Sequence, residues 1–367
     1  MASKVYYSDM RTEFGNNLLD KLSRVIVSAG IGDIDFKDHY AAIKMHFGEP
    51  GNLAFLRPNW AKTVADEVKK LGGKPFLTDC NTLYVGGRKN ALDHMDTALI
   101  NGFSPISTGC QVLIADGLKG SDDVEVPVDG KYVHEARIGR AIMDADIIIS
   151  LTHFKGHEST GFGGALKNLG MGSGSRRGKM DMHSTGKPLV DEEACIGCRR
   201  CAKICAHDAP RFDSGKCRID HSRCVGCGRC LAICPKDAIH SSFDNSNEIL
   251  NCKIAEYAKA VVQGRPSFHI AIAVDISPNC DCHNENDAPI VPNIGIFASK
   301  DPVALDKACA DAVNSMPASP CSMLAEAEHV HHDHFTDVHP TTNWKQGLEY
   351  AESIGLGSMD YELVKVR

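Results

Sequence analysis

Apolar positions recur along this chain at two spacings. Leu18, Leu19, Leu22, Val25, Ile26 and Ala29 share one face of a 3.6-residue repeat and predict a helix. Trp60, Val64, Val68 and Leu71 predict a second, stopped by Gly72-Gly73. Short apolar runs at 41–47, 74–78, 111–115 and 146–151 read as strands, and a helix over 134–143 leads into the last of them. Further along, 248–262 reads as a helix, 269–276 and 293–298 as strands, and 302–314 as a helix. Strands alternating with helices predict an α/β fold with a largely parallel sheet.

A cysteine-rich stretch interrupts this pattern. It holds Cys195-x2-Cys198-x2-Cys201-x3-Cys205 and Cys224-x2-Cys227-x2-Cys230-x3-Cys234, in flanks that repeat as CIGCRRCAKICAHDAP and CVGCGRCLAICPKDAI at an offset of 29 residues. The expected organisation is an α/β body over 1–188 and 245–367, with a small α+β insert over 189–244 built from two related halves. Three thiolates two residues apart on a tight loop reach three irons of one cubane, and the fourth points to the other cubane. That assigns Cys195, Cys198, Cys201 and Cys234 to one [4Fe–4S] cluster and Cys224, Cys227, Cys230 and Cys205 to a second. The same spacing is poorly suited to tetrahedral zinc pairs. The stretch resembles the bacterial two-cluster ferredoxin domain, except that Ala206 stands where proline is usual after the first run.

Composition narrows the setting. Sixteen cysteines, without a basic-then-apolar leader, point to metal ligands or redox groups in a cytoplasmic protein, and exposed clusters point to an anaerobic or low-oxygen host. The net charge of −7 argues against nucleic acid and membrane surfaces as partners.

A second concentration of chemistry follows the apolar run at 146–151. There His153, Lys155 and His157 precede Gly161, Gly163, Gly164, Lys167, Gly170 and Gly172. Functional loops of open α/β sheets lie at the carboxyl ends of strands, glycine-rich loops can turn backbone N–H groups toward an anion, and lysine offers a charge or an amine nucleophile. Neither a Walker nor a Rossmann pattern is present. The glycines are therefore expected to line a cofactor or substrate site, and the substrate to be small and anionic.

The segments LTHFKGHESTGFGGALKNLGMG, Cys280-Asp-Cys282, FASKDPVALDKA and IGLG, with the cysteine-rich insert, resemble the DUF362 family over nearly the full length. The spacing His157-x9-Lys167-x15-His183 is also similar to that of nickel-pincer lactate racemases. That resemblance implies a cofactor tether at Lys167, a metal ligand at His183 and an acid/base at His157. Cys280 and Cys282 are candidates for a third metal site, with Cys252, Cys309 and Cys321 as further thiols. Asp79, His94, Asp96 and Asp116 fall near strand ends, and His329, His331, His332, His334 and His339 form a patch with Asp333 and Asp337. The leading expectation is a redox protein passing electrons between two clusters and a site at His153, Lys155, His157 and Lys167, served by a redox partner protein. The alternatives are a non-catalytic carrier or docking protein, and a metal- or organic-cofactor enzyme of the racemase kind.

Overall fold

The structure is a computed structural model that describes residues 2–84, 86–183, 187–224, 226, 228–241, 246–328 and 330–367. Cys227 and His329 lie outside the described residues. Among the described residues eight strands form the central sheet, in the order Tyr361–Lys365, Ser3–Asp9, Gly295–Ser299, Ser267–Ala273, Ile147–His153, Tyr40–Lys44, Lys74–Asp79, Gln111–Ile114. Gly295–Ser299 runs antiparallel to both neighbours and every other pairing is parallel, so the sheet is largely parallel as expected.

Both faces of the sheet are covered, which is why its central strands are apolar on both sides. Ile147, Ile149 and Leu151 face a layer containing the helices Leu18–Ser28 and Pro58–Lys70, along with Phe268, Ile270 and Ile272. Ile148, Ala42, Ala271 and Phe297 face the opposite layer, where Ala165–Ser173, Asn247–Val262 and Pro302–Asn314 lie. The helix starts follow capping chemistry. Asn17 accepts from the Leu19 and Asp20 N–H groups, and Asp301, just ahead of Pro302, accepts from Val303 and Ala304.

Two readings change. The stretch 134–143 is half strand, Glu135–Gly139, paired with Asp123–Pro127, and only Arg140–Met143 is helical. Two strands lie where no element was read, Tyr361–Lys365 at one edge of the sheet and Ser3–Asp9 beside it.

The chain enters and leaves the cysteine-rich segment side by side, through the antiparallel pair Pro188–Val190 and Ile239–Ser241. Inside it the sequence repeat is a conformational repeat. Gly197 and Gly226 have φ of 65° and 69°, Arg199 and Gly228 have 60° and 66°, and Asp208 and Asp237 have 47° and 51°. Each pair is 29 positions apart, and the short helices Arg200–Ile204 and Arg229–Ile233 begin after the second pair. No helix among the described residues is long and apolar enough to cross a membrane.

Candidate functional site

A cavity of about 460 Å³ opens at the carboxyl ends of the parallel strands. Lys44 ends Tyr40–Lys44, Asp79 ends Lys74–Asp79 and His153 ends Ile147–His153, and all three line it. Lys155, His157, Gly164, Lys167, Gly172 and His183 line it too, so the three residues of the racemase-like spacing share one space.

The glycine run is not a loop. Lys155–His157 and Gly161–Gly163 pair as a hairpin, and Ala165–Ser173 is a helix capped at Gly164. Its first N–H groups, where an anion would sit, already serve a buried carboxylate: Ala165 and Leu166 donate to Asp306 at 2.6 and 2.9 Å. The glycines are needed for close approach. A Cβ at Gly170 would lie 2.2 Å from the Ile254 carbonyl oxygen, one at Gly164 2.3 Å from Asp306 and one at Gly172 2.4 Å from Lys44 Nζ. Gly163 backs onto the Lys155 side chain, and Gly161, at φ +80°, turns the hairpin against Trp344. Gly161, Gly163, Gly164, Gly170 and Gly172 are thus all closely packed, and two of them, Gly164 and Gly172, also border the cavity.

Burial pushes the Asp306 carboxyl up to about 7, although its two N–H donors pull the other way. The folded chain therefore holds a proton there that the unfolded chain releases near pH 4. Stability should fall as pH rises from about 4 to about 7, and Asp306→Asn should flatten that slope in urea titrations run across the interval.

His153 is fully engaged. Nδ1 meets the Asp281 carboxylate at 2.8 and 3.0 Å and Nε2 meets the Val274 carbonyl at 2.8 Å, so neither nitrogen is free to act on a bound molecule. Lys155 donates to the His153 carbonyl at 3.1 Å and lies 3.5 Å from Asp281. These are positioning roles, centred on Asp281, which sequence reasoning passed over between its two cysteines. Although burial would raise its pKa, His153 and Lys155 hold the Asp281 carboxyl well below the usual range.

Asp281 anchors the Cys280-Asp-Cys282 turn. The His283 N–H closes the turn on the Cys280 carbonyl at 3.0 Å, and the Glu49 N–H holds the Asp281 carbonyl at 3.1 Å. Gly156 lets the hairpin press against Pro278, which brings His157 to the turn. One donor atom each from His157, Cys280 and Cys282 lies within 4.8 Å of the others, close enough to hold a metal ion, and Glu158, Cys282 and His283 form a second such group. Lys167 donates to Cys280 Sγ at 3.1 Å. A hydrogen bond from Cys282, then Lys167 and Lys155, hold the Cys280 thiol well below its ordinary range against the effect of burial. His157 Nδ1 accepts N–H groups from Ser159 at 3.0 Å and Thr160 at 3.2 Å, which puts the ring proton on Nε2. Burial, with the charges of His157 and Lys167 nearby, pushes His183 down to about 3.

The opposite wall is a buried ion network that composition did not reveal. Lys44 pairs with Asp79 at 2.9 Å, and Arg88 pairs with Asp79 at 3.2 Å and Glu49 at 2.9 Å. Five cationic side chains (Lys44, Arg88, Lys155, Lys167 and Lys179) line the cavity against two carboxylates, Asp79 and Glu158.

The remaining candidates scatter. His94 is buried beside Asp79 and Asp116 accepts from Asn81, while Asp96 does not line the cavity. Cys252 and Cys309 are buried among the helices and Cys321 is exposed. Part of the histidine patch holds the local fold. Asp333 caps a short helix and accepts from Trp344, and His334 and His339 meet the carbonyls of Met316 and Pro278.

In the insert, Cys195, Cys198, Cys201 and Cys234 line one small cavity, and Cys205, Cys224 and Cys230 line another. N–H groups approach the sulfurs: Cys217 to Cys195 at 3.3 Å, Ala209 to Cys205 and Gly226 to Cys224 at 3.4 Å. The donor set, the crossed grouping and these N–H contacts suit cubane ligation. Cys217, outside any CxxC spacing, adds a fifth thiol to the first cavity, 3.5 Å from Cys201 Sγ. The insert core also contains Leu83 and Met180; Leu83 lines the large cavity, and Met180 shares the helix Arg176–His183 with the cavity residues Lys179 and His183.

Fold and site together define an α/β protein with a charged, thiol-bearing cavity at its strand ends and a cysteine-rich segment against the cavity wall. Residues 41–311 match the family described as a domain of unknown function, DUF362, and the chain belongs to that family. A thylakoid-associated protein of Synechocystis sp. (strain ATCC 27184 / PCC 6803 / Kazusa) is 27% identical over 120 residues, which span 33% of this chain and 34% of that protein. Among solved structures, the lactate racemase apoprotein from Thermoanaerobacterium thermosaccharolyticum aligns at 9% identity and TM-score 0.37, covering 74% of this chain and 51% of that one. A protein from Thermotoga maritima aligns at 13% identity and TM-score 0.42, covering 81% and 58%.

Proposed function

We propose that this chain is an iron–sulfur redox protein of the cytoplasm. It takes electrons from a redox partner protein through two [4Fe–4S] clusters in the insert and delivers them to a small anionic substrate in the strand-end cavity. The observation that carries this reading is the crossed grouping of the cysteines, with Cys234 joining Cys195, Cys198 and Cys201, and Cys205 joining Cys224 and Cys230. Cys227, outside the described residues, completes the second set by its position in the repeat. Bound there, the two groups would supply one-electron transfer. The chain's own part is to hold thiolates, direct N–H groups at sulfur and keep the insert core against Leu83.

The excess of cationic side chains in the cavity supports an anionic ligand, and Leu83, which lines the cavity and packs in the insert core, supports electron passage rather than a separate docking module. Anaerobically purified protein should contain about eight irons and eight sulfides per chain. Cys198→Ala should lose close to half of the iron and leave one reducible centre in the electron paramagnetic resonance spectrum. Zinc without sulfide in the wild-type protein would sink the proposal.

A further inference from the structure

Cys280 and Cys282 are not needed to ligate the proposed clusters, yet their turn is held from several sides. The turn that carries them is fixed at the Asp281 carboxylate by His153, at the Asp281 carbonyl by Glu49, and across its mouth by the His283 N–H. Cys280 is 1% exposed, while Cys282 is part-buried and lines the cavity. Their sulfurs lie within 4.8 Å of each other, and the Lys167 ammonium sits 3.1 Å from the inner one.

Two chemistries suit such a pair. A metal site would need His157 to offer a lone pair at Nε2. Its Nδ1 lone pair is already spent on the Ser159 and Thr160 N–H groups, so Nε2 carries the proton and is a donor. A lysine ammonium against one sulfur also belongs beside a thiolate rather than inside a cation's coordination sphere. Both observations favour the second chemistry.

We propose that Cys280 and Cys282 form a redox-active dithiol that closes to a disulfide and reopens in the cavity wall, with Cys282 as the sulfur that meets the bound molecule and Lys167 stabilising Cys280 as the thiolate. Opening takes two electrons and one proton. The S–S bond breaks, each sulfur gains one electron, Cys280 becomes a thiolate beside Lys167 and Cys282 takes the proton. Closing by exchange with a small disulfide is the reverse balance. The disulfide's S–S bond breaks, the Cys280–Cys282 bond forms, and one small thiol, carrying the proton from Cys282, and one small thiolate leave. The proposal rests on the redox reading above for the source of its electrons. Two one-electron centres then match one two-electron dithiol.

The test uses the full-length protein, purified anaerobically and equilibrated in glutathione/glutathione-disulfide buffers of graded ratio. Free thiols are then trapped with iodoacetamide, and the peptide holding 280–282 is weighed. A single transition from two added alkyl groups to none, with a loss of two hydrogens, is expected. Stabilising the thiolate makes a disulfide easier to open. Lys167→Gln should therefore shift the transition by about tenfold in buffer ratio toward reducing conditions, and Cys282→Ser should abolish it and trap one glutathione on Cys280 or none. A peptide that stays fully alkylated in pure glutathione disulfide would overturn the proposal. So would thiols that react only after a chelator removes one bound zinc or nickel ion per chain. Iron and sulfide analysis of the same sample separates this result from the cluster reading. A disulfide transition without iron leaves the dithiol standing and removes the clusters, and the opposite result removes only the dithiol.

Discussion

Replacing Asp79 with asparagine should cost the folded chain about 3–5 kcal/mol, read as a lower urea midpoint with an unchanged slope. Asp79 sits 2.9 Å from Lys44, 3.2 Å from Arg88 and 3.7 Å from His94, with 3% of its side chain exposed. Asparagine keeps the shape and removes the charge. Arg88 would then keep Glu49 as its carboxylate, and Lys44 would keep only neutral partners such as Asn168 at 2.8 Å. The pH dependence has a definite sign. Burial by itself would raise the Asp79 pKa, yet the charges of Lys44, His94, His46 and Arg88 outweigh it and hold the carboxyl well below its usual range. The unfolded carboxyl takes up its proton near pH 4. The stability due to Asp79 is therefore present above that pH and is lost as pH falls below it. Asp79→Asn should lose that acid sensitivity, whereas the slope due to Asp306 runs the other way between about 4 and about 7. An unchanged urea midpoint would mean that the network stabilises nothing.

The contrast between these two aspartates shows what sequence could and could not convey. The central strands were legible because runs such as 147–151 are apolar on both faces, which a doubly covered parallel sheet requires. The edge strand Tyr361–Lys365 was not, because it is largely exposed and gains its strand identity only by pairing with Ser3–Asp9. The reversed direction of Gly295–Ser299 leaves no local mark at all. In the insert, a repeat of spacing proved to be a repeat of backbone conformation, since left-handed residues recur at matching positions. Cys217 escaped notice because its contact with Cys195 is made across the fold rather than along the chain. At the cavity, the strand-end address was correct for His153, Lys155, His157 and Lys167, but their division of labour was invisible. That His153 and Lys155 hold Asp281, while His157 and Lys167 serve the sulfurs, depends on a turn more than a hundred residues further along. The glycines are ambiguous in sequence for a related reason. A glycine that admits a neighbouring backbone and one that admits an anion look the same in one dimension.

Gly170→Ala puts that distinction to a test with a large expected effect. Alanine is the better helix former by about 1 kcal/mol, so an exposed site would gain stability from the change. At Gly170 the new Cβ would lie 2.2 Å from the Ile254 carbonyl oxygen and 3.0 Å from the carbonyl carbon. Those are backbone atoms in the middle of Asn247–Val262, so no side-chain rotation relieves the contact. The two helices must part by roughly 1 Å to restore ordinary contact distances. The clash should outweigh the propensity gain and cost about 3 kcal/mol net. Ile254→Ala removes the side-chain atom also at 3.0 Å but not the carbonyl, so the double variant should recover little. Gly32→Ala, where a Cβ meets nothing within 4 Å, should be near neutral and serves as the control. The displacement has a chemical consequence, because the helix that moves carries Lys167 and Asn168. Lys167 would withdraw from Cys280, now 3.1 Å away, and Asn168 from Lys44, now 2.8 Å away. Gly170→Ala should therefore slow alkylation of Cys280 at neutral pH as well as lower the melting temperature. Full stability with fast alkylation would mean that the glycine run serves a ligand after all rather than the packing of these two helices.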